Sequence, residues 1–249
     1  GDQDVWHVCL LANTCCGIRR LSLVADDGGG ATASMPWIEV LHGGISRERI
    51  LSMQDLDMDL LAPTFTTKAA LDLGVHPRDL YAWRDGGLLI ELSRGVFRQV
   101  DAPTATYPDL LAVTMRAPTS IVCCVSAAAV HELTDELPPA VQLAVPNGSH
   151  PPQIDYPPTQ VFRFASATFA LGLSEVEAAP GEWVRIYDAA RTVVDLMRLR
   201  HRFGETLAHT ALNRSLTSGA ARPADVLHCA QVLGVAGPVR LALDIARSR

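Results

Sequence analysis

Arg78 and Tyr81 stand three residues apart in the pattern PRDLYAWRD. A helix over that pattern turns Leu80 and Trp83 inward, and Arg78, Tyr81 and either Arg84 or Ala82 outward. An outward arginine on such a helix can donate a bidentate pair of hydrogen bonds to a guanine edge in the major groove. Lys68 is the one lysine of the 249 residues. With neighbouring Thr67, and with Arg94 and Arg98 around an SRG turn, it is a candidate phosphate contact. A second group, Arg191, Arg198, Arg200 and Arg202, gathers on RTVVDLMRLRHRF and suits an acidic protein surface or more DNA backbone. Each of these has a plainer reading. An arginine on a short exposed helix is often only solvated, and Arg191 and Asp195, four apart, read as a structural ion pair rather than a catalytic one.

Enzyme signatures are missing. There is no Gly-x-x-x-x-Gly-Lys phosphate loop, no Gly-x-Ser-x-Gly elbow and no HExxH. His131, Glu132, Asp135 and Glu136 read as the solvated acidic end of a helix. Ser126 and His131, five apart, do not share a helix face. The six cysteines, Cys9, Cys15, Cys16, Cys123, Cys124 and Cys229, form no CxxC or Cys/His ligand pattern, so no metal is expected. They read as reduced, small core residues, which fits a cytoplasmic protein with no signal peptide. The most apolar run, IVCCVSAAAV, is far short of the ~20 residues a membrane helix needs, so no membrane partner is expected.

The elements that hold these residues can be read from caps and breakers. Ser46 caps a helix over SRERILSMQDLDMDLL, and Pro63 stops it. Thr66 or Thr67 caps a short helix, KAALDL. Gly74 supplies a turn that needs positive φ, and Pro77 opens the PRDLYAWRD helix, which ends at Gly86 and Gly87. LLIEL and VFRQV are two short strands around SRG. Three short helices and a hairpin make a winged helix-turn-helix. Downstream, YPDLLAVTMRAP is a helix, Ser126 caps another, and AVQLAV and TQVFRFA are strands on either side of a proline-rich loop. Asp188 caps a long helix closed by Gly204, with Val193, Val194 and Met197 on its apolar stripe. Residues 1–45 show no sustained period and receive no function.

These motifs carry a resemblance. TTKAALDLGVHPRDLYAWRDGGLLIELSRGVFRQV resembles the N-terminal domain of AbiEi-type antitoxins. VSAAAVHEL with AVQLAVP, VRIYDAARTVVDLMRLRHRFG, ETLAHTALNRSL and ARPADVLHCAQVLGV resemble, in order, later stretches of that family, over about residues 60–245. Together with the elements read above, this gives an α+β chain: an appendage (1–45), a winged helix-turn-helix (46–100), and a mixed α/β C-terminal domain ending in a helical bundle (101–249), which the resemblance implies is an antitoxin domain. The resemblance also implies a function. Such antitoxins counter a nucleotidyltransferase-fold toxin encoded beside them and repress their own promoter. The implied partners are that toxin and promoter DNA, bound as a homodimer if the site is repeated, and no cofactor is implied.

Two other readings stand beside it. One is an enzyme that modifies the toxin, for example by phosphorylation; ATP would be its cofactor, with arginine in place of a P-loop lysine. The other is a winged-helix regulator with no toxin. Charge is a warning for the DNA reading. Residues 64–100 carry five cations against four anions, within a chain of net charge −6, and phosphate attraction supplies much of DNA affinity. Charge is also uneven: residues 101–182 hold two arginines against nine acids, and residues 183–249 hold ten against five.

Overall fold

Hydrophobic alternation and glycine turns build two sheets. The computed structural model describes Met58 and residues 60–247. The appendage 1–45, nearly all of the helix expected from Ser46, and Cys9, Cys15 and Cys16 lie outside the described residues. The chain is a mixed α+β fold, and no helix among the described residues is long and apolar enough to cross a membrane.

The first sheet is small and antiparallel, in the order β1-β3-β2. Strand β1 is Thr64–Thr66, β2 Leu89–Ser93 and β3 Val96–Gln99. Between β1 and β2 run two helices, α1 (Thr67–Asp72) and α2 (Pro77–Asp85). Thr66, not Thr67, caps α1, its Oγ1 accepting from the Ala69 amide at 3.2 Å. Gly74, with φ +90°, makes the turn to α2. Pro77 occupies the first turn of α2, where its missing N–H costs nothing. Leu80, Trp83, Ala70, Phe65, Phe97 and Leu89 close one apolar core between these helices and the sheet.

The second sheet has five strands in the order β6-β5-β4-β8-β7. They are β4 (Ile121–Val122), β5 (Val141–Pro146), β6 (Thr159–Phe164), β7 (Leu173–Ala179) and β8 (Glu182–Tyr187). Pairing is parallel for β5 with β6 and for β4 with β8, and antiparallel elsewhere. Helix α3 (Pro108–Arg116) packs Leu110, Leu111 and Val113 on one face, against Val122, Leu143 and Ile186. The other face carries α5 (Ala189–Arg198), α6 (Arg200–Phe203), α7 (Glu205–Thr217), α8 (Pro223–Val232) and α9 (Ala236–Arg247). Helix α4 (Cys124–Val130) starts two residues before Ser126, whose hydroxyl accepts from the Gln142 amide inside the fold rather than capping the helix. The helix capped by Asp188 does not run unbroken to Gly204. It ends at Leu199 and resumes as α6.

The boundary expected at residue 101 falls between the two sheets, and polar ties cross it. Arg116 on α3 donates to the carbonyls of Arg94 and Gln153. Ser93 donates to the Tyr156 carbonyl at 2.6 Å. The hairpin turn is thereby fixed against α3 and the proline-rich loop.

Candidate functional site

On α2, Leu80 and Trp83 are buried, and Arg78, Tyr81 and Ala82 are exposed. The 3.6-residue period thus delivers the expected outward face. The Arg78 amide is satisfied by His76 Nδ1 at 3.1 Å, and its guanidinium meets no partner among the described residues. The Tyr81 ring meets Phe97 edge-on, 6.2 Å between centroids, and the residue is exposed. Lys68 on α1 and Arg94 in the hairpin turn are exposed and make no ion pair among the described residues. Thr67 is half-buried, and its amide and hydroxyl both bond the Gly95 carbonyl, at 2.9 and 3.3 Å. It anchors the start of α1 to the hairpin turn. Gly95 has φ +76°, which favours glycine, and a Cβ there would sit 3.1 Å from Thr67 Oγ1, a tight approach.

Two of the expected DNA contacts are otherwise engaged. Arg84 lies over the Tyr81 ring at 4.9 Å and is clamped by Asp85 at 2.8 Å and Glu91 at 3.0 Å. The Asp85 and Glu91 hydrogen bonds push its pKa further up. It braces Tyr81 rather than offering free donors. Arg98 is corrected outright: it is only 6% exposed and cannot reach a phosphate. Its register opposite Thr64 and Ile90 turns it towards the second sheet, where it bonds Thr64 Oγ1, the Pro103 carbonyl and Glu182. The cations of this segment without an ion pair among the described residues are therefore Lys68, Arg78 and Arg94.

The second arginine group also divides. Arg191 is fully buried, so it is corrected from a partner contact to a core residue. Its Nε donates to Asp195 Oδ2 at 2.9 Å, and its Nη1 to the carbonyls of Thr168 and Leu171 at 2.8 and 2.9 Å. Its guanidinium lies 4.4 Å from the centroid of the Tyr187 ring. Asp195 also holds Arg198 at 2.9 Å. Burial drives the Asp195 carboxyl upward against the pull of Arg191 and then Arg198. The same burial raises the Tyr187 phenol and the Cys123 thiol, and pushes the Cys229 thiol to about 11. Those thiols are held protonated, which makes them poor nucleophiles. One signal in the sequence could have placed Arg191: AARTVVDLM is apolar on all sides of the helix apart from a neutralising i,i+4 pair, as befits a central helix.

Arg198, Arg200 and Arg202 remain at or near the surface. Arg198 and Arg202 lie over the rings of Phe164 and Phe162, at 4.7 and 4.9 Å. Arg200 pairs with Glu205 at 3.2 Å. The aromatic residues of β6, and Arg163 between them, were not singled out in the sequence. Alternation in TQVFRF carried that information, since it places Phe162 and Phe164 on one face and Arg163 on the other.

No group of three or more metal-ligating side chains occurs among the described residues. A recess of about 350 Å³ opens between α3, α4 and the proline-rich segments. Tyr107, Leu137, Pro139, Val141 and Pro158 are among its walls.

No family model matches the chain, and no curated protein matches it. Among solved structures, the fold is similar to that of the RV2827C protein from Mycobacterium tuberculosis. That match is 14% identical, spans 80% of this chain and 76% of that one, and has a TM-score of 0.53. At this identity the likeness concerns the fold alone.

Proposed function

We propose that the chain is the antitoxin of a bacterial toxin–antitoxin pair, countering a nucleotidyltransferase-fold toxin in the cytoplasm and repressing its own operon. The DNA-reading part is a winged helix-turn-helix in which α2 is the recognition helix and the β2–β3 hairpin is the wing. One observation carries the DNA-reading part. Arg78 and Tyr81 project from α2 while Leu80 and Trp83 anchor it, and Lys68 and Arg94, with no ion pair among the described residues, lie on the adjoining helix and turn. That arrangement suits base contacts from α2 flanked by phosphate contacts. The antitoxin part is supported by the ordered resemblance along residues 60–245. Arg198, Arg200 and Arg202 are the proposed toxin-facing residues.

Magnitudes set what to expect on DNA. Lys68, Arg78 and Arg94 give a slope of log affinity against log salt of about −2.7 per chain. A homodimer on a repeated site doubles it. The test is a gel shift on the DNA upstream of the chain's own gene. Arg78→Ala should cost about 1–3 kcal/mol and relax sequence preference, as loss of a bidentate base contact does. Lys68→Ala should weaken specific and random DNA alike. Wild-type affinity for Arg78→Ala and Tyr81→Ala, both folded by circular dichroism, would remove α2 as the reader.

A further inference from the structure

Strand β6 is an edge of the five-stranded sheet. Its pairing with β5 is parallel, with Val141 opposite Thr159 and Pro146 opposite Phe164. The Val141 amide donates to the Pro158 carbonyl and the Asn147 amide to the Phe164 carbonyl. In a parallel ladder these two bonds fix the phase: the backbone groups of Gln160, Phe162 and Phe164 face β5. The N–H and C=O groups of Thr159, Val161 and Arg163 therefore point away from the sheet. None of them has a backbone partner among the described residues.

The surroundings of this edge are cationic. Arg163 is exposed on one face of β6, and its guanidinium meets no carboxylate among the described residues. On the other face Arg202 is exposed, makes no ion pair among the described residues, and lies over the Phe162 ring. Arg198 lies over Phe164 with its Nε buried and unpartnered. The two guanidiniums take the place of an apolar cover over the phenylalanine faces; Arg198 is paired with Asp195, and the Arg202 charge remains beside the edge.

We propose that β6 is a docking edge for an extended, acidic segment of a partner protein, which adds to the sheet as a sixth strand. Main-chain bonds to Thr159, Val161 and Arg163 would supply the affinity, and carboxylates opposite Arg163 and Arg202 the selectivity. A second copy of this chain is disfavoured as the occupant, because its β6, TQVFRF, brings no carboxylate to set against Arg163 and Arg202. A nucleic acid is disfavoured because phosphates satisfy the guanidiniums but not alternating donors and acceptors along a strand. The inference does not depend on the antitoxin proposal; where that proposal holds, the toxin would carry the acidic strand.

The experiment uses the full chain and fluorescein-labelled probes read by anisotropy: a short peptide alternating Glu and Val, its Lys–Val counterpart, and single-stranded oligo-dT. Val161→Pro deletes an outward N–H and leaves the inward bonds intact, at an edge position that tolerates proline. The Glu–Val peptide should bind at least about tenfold tighter than the Lys–Val peptide. Val161→Pro should weaken it by about fivefold or more, with circular dichroism unchanged. Should Val161→Pro fail to fold, Arg163→Glu with Arg202→Glu serves instead and should reverse the preference between the two peptides. Equal binding of both peptides, or no binding, would overturn the proposal and leave Arg163 as a guard against edge pairing. Oligo-dT binding that depends on Arg163 and Arg202, or sedimentation showing a dimer lost in Val161→Pro, would overturn it in favour of nucleic acid or a second copy. Each of these results can occur whether or not the chain rescues cells from a toxin.

Discussion

Arg191→Ala should unfold the protein far more readily than any other single arginine change on α5 and α6. The substitution leaves Asp195, which has no exposed side-chain surface, facing only the partly exposed Arg198. It also takes the guanidinium donor from the Leu171 carbonyl, leaves the Thr168 carbonyl with the Leu171 amide alone, and empties the space over the Tyr187 ring. Removing one partner of a buried ion pair costs about 3–5 kcal/mol. For a chain of this size each kcal/mol moves Tm by roughly 2–4 °C, so the fall should be about 6–20 °C. Arg191→Lys should not rescue, since one ammonium cannot reproduce the guanidinium's fixed fork. Arg202→Ala, which loses only a stacking contact at an exposed site, should cost about 0.5–1 kcal/mol. The loss also has a sign in pH. Burial raises the Asp195 carboxyl and Arg191 opposes that rise, so in the variant the folded-state pKa climbs further above the unfolded value. A group raised in this way favours folding below its unfolded pKa and ceases to do so as pH rises through the folded one. The gap between wild type and Arg191→Ala should therefore narrow from neutral to mildly acidic pH. The assay is thermal unfolding by circular dichroism across that range. An Arg191→Ala protein within about 2 °C of wild type, yet unable to bind its partner, would refute the buried assignment.

Gly172→Ala should destabilise for a related reason. Gly172 has φ +70°, and a Cβ there would lie 2.5 Å from Arg191 Cβ. Left-handed backbone alone costs about 1–2 kcal/mol, and the clash adds to it, so chemical denaturation should show a loss above that figure. Arg98→Ala should loosen the tie between the two sheets by about 1.5–3 kcal/mol, the range for hydrogen bonds to a charged group. Limited proteolysis should then cut residues 100–106 faster, and unchanged cutting would show that α3 alone holds the sheets together. Asp135 should titrate below the ordinary 3.8, because the Arg214 guanidinium bonds its carboxylate. Arg214→Ala should move its NMR midpoint back up, and an unmoved midpoint would show that the pair does not persist in solution.

Local punctuation made the hairpin and the two helices before it legible, whereas β1, only three residues long at Thr64–Thr66, gave no period to detect. Thr66, Gly74, Pro77, Gly86 and Gly95 each do what their backbone chemistry requires, so α2 was expected over its observed range of Pro77–Asp85. The outward face of α2 followed from period alone. The fate of Arg98 could not be read locally. Only the packing of β3 beside Glu182, 84 residues away, turns that arginine inward. Strand β4 is two residues long and gives no period to detect. Strands β7 and β8 lie in LSEVEAAPGEWVRIY, where Trp183 is exposed and acids alternate with small residues, so the hydrophobic signal was weak. In α5, tertiary context decided Arg191: a charged residue that looked available on a helical wheel is the centre of a neutralised core.

Co-expression tests the central proposal most directly. The nucleotidyltransferase-fold protein encoded beside this chain would be induced alone, with the wild-type chain, and with Arg198→Glu/Arg202→Glu, while colony counts are followed. Growth arrest by the partner alone, rescue by the wild-type chain and reduced rescue by the folded double variant are the predicted results. Arrest that the wild-type chain does not relieve, or a neighbouring gene that encodes no such protein, would contradict the antitoxin assignment.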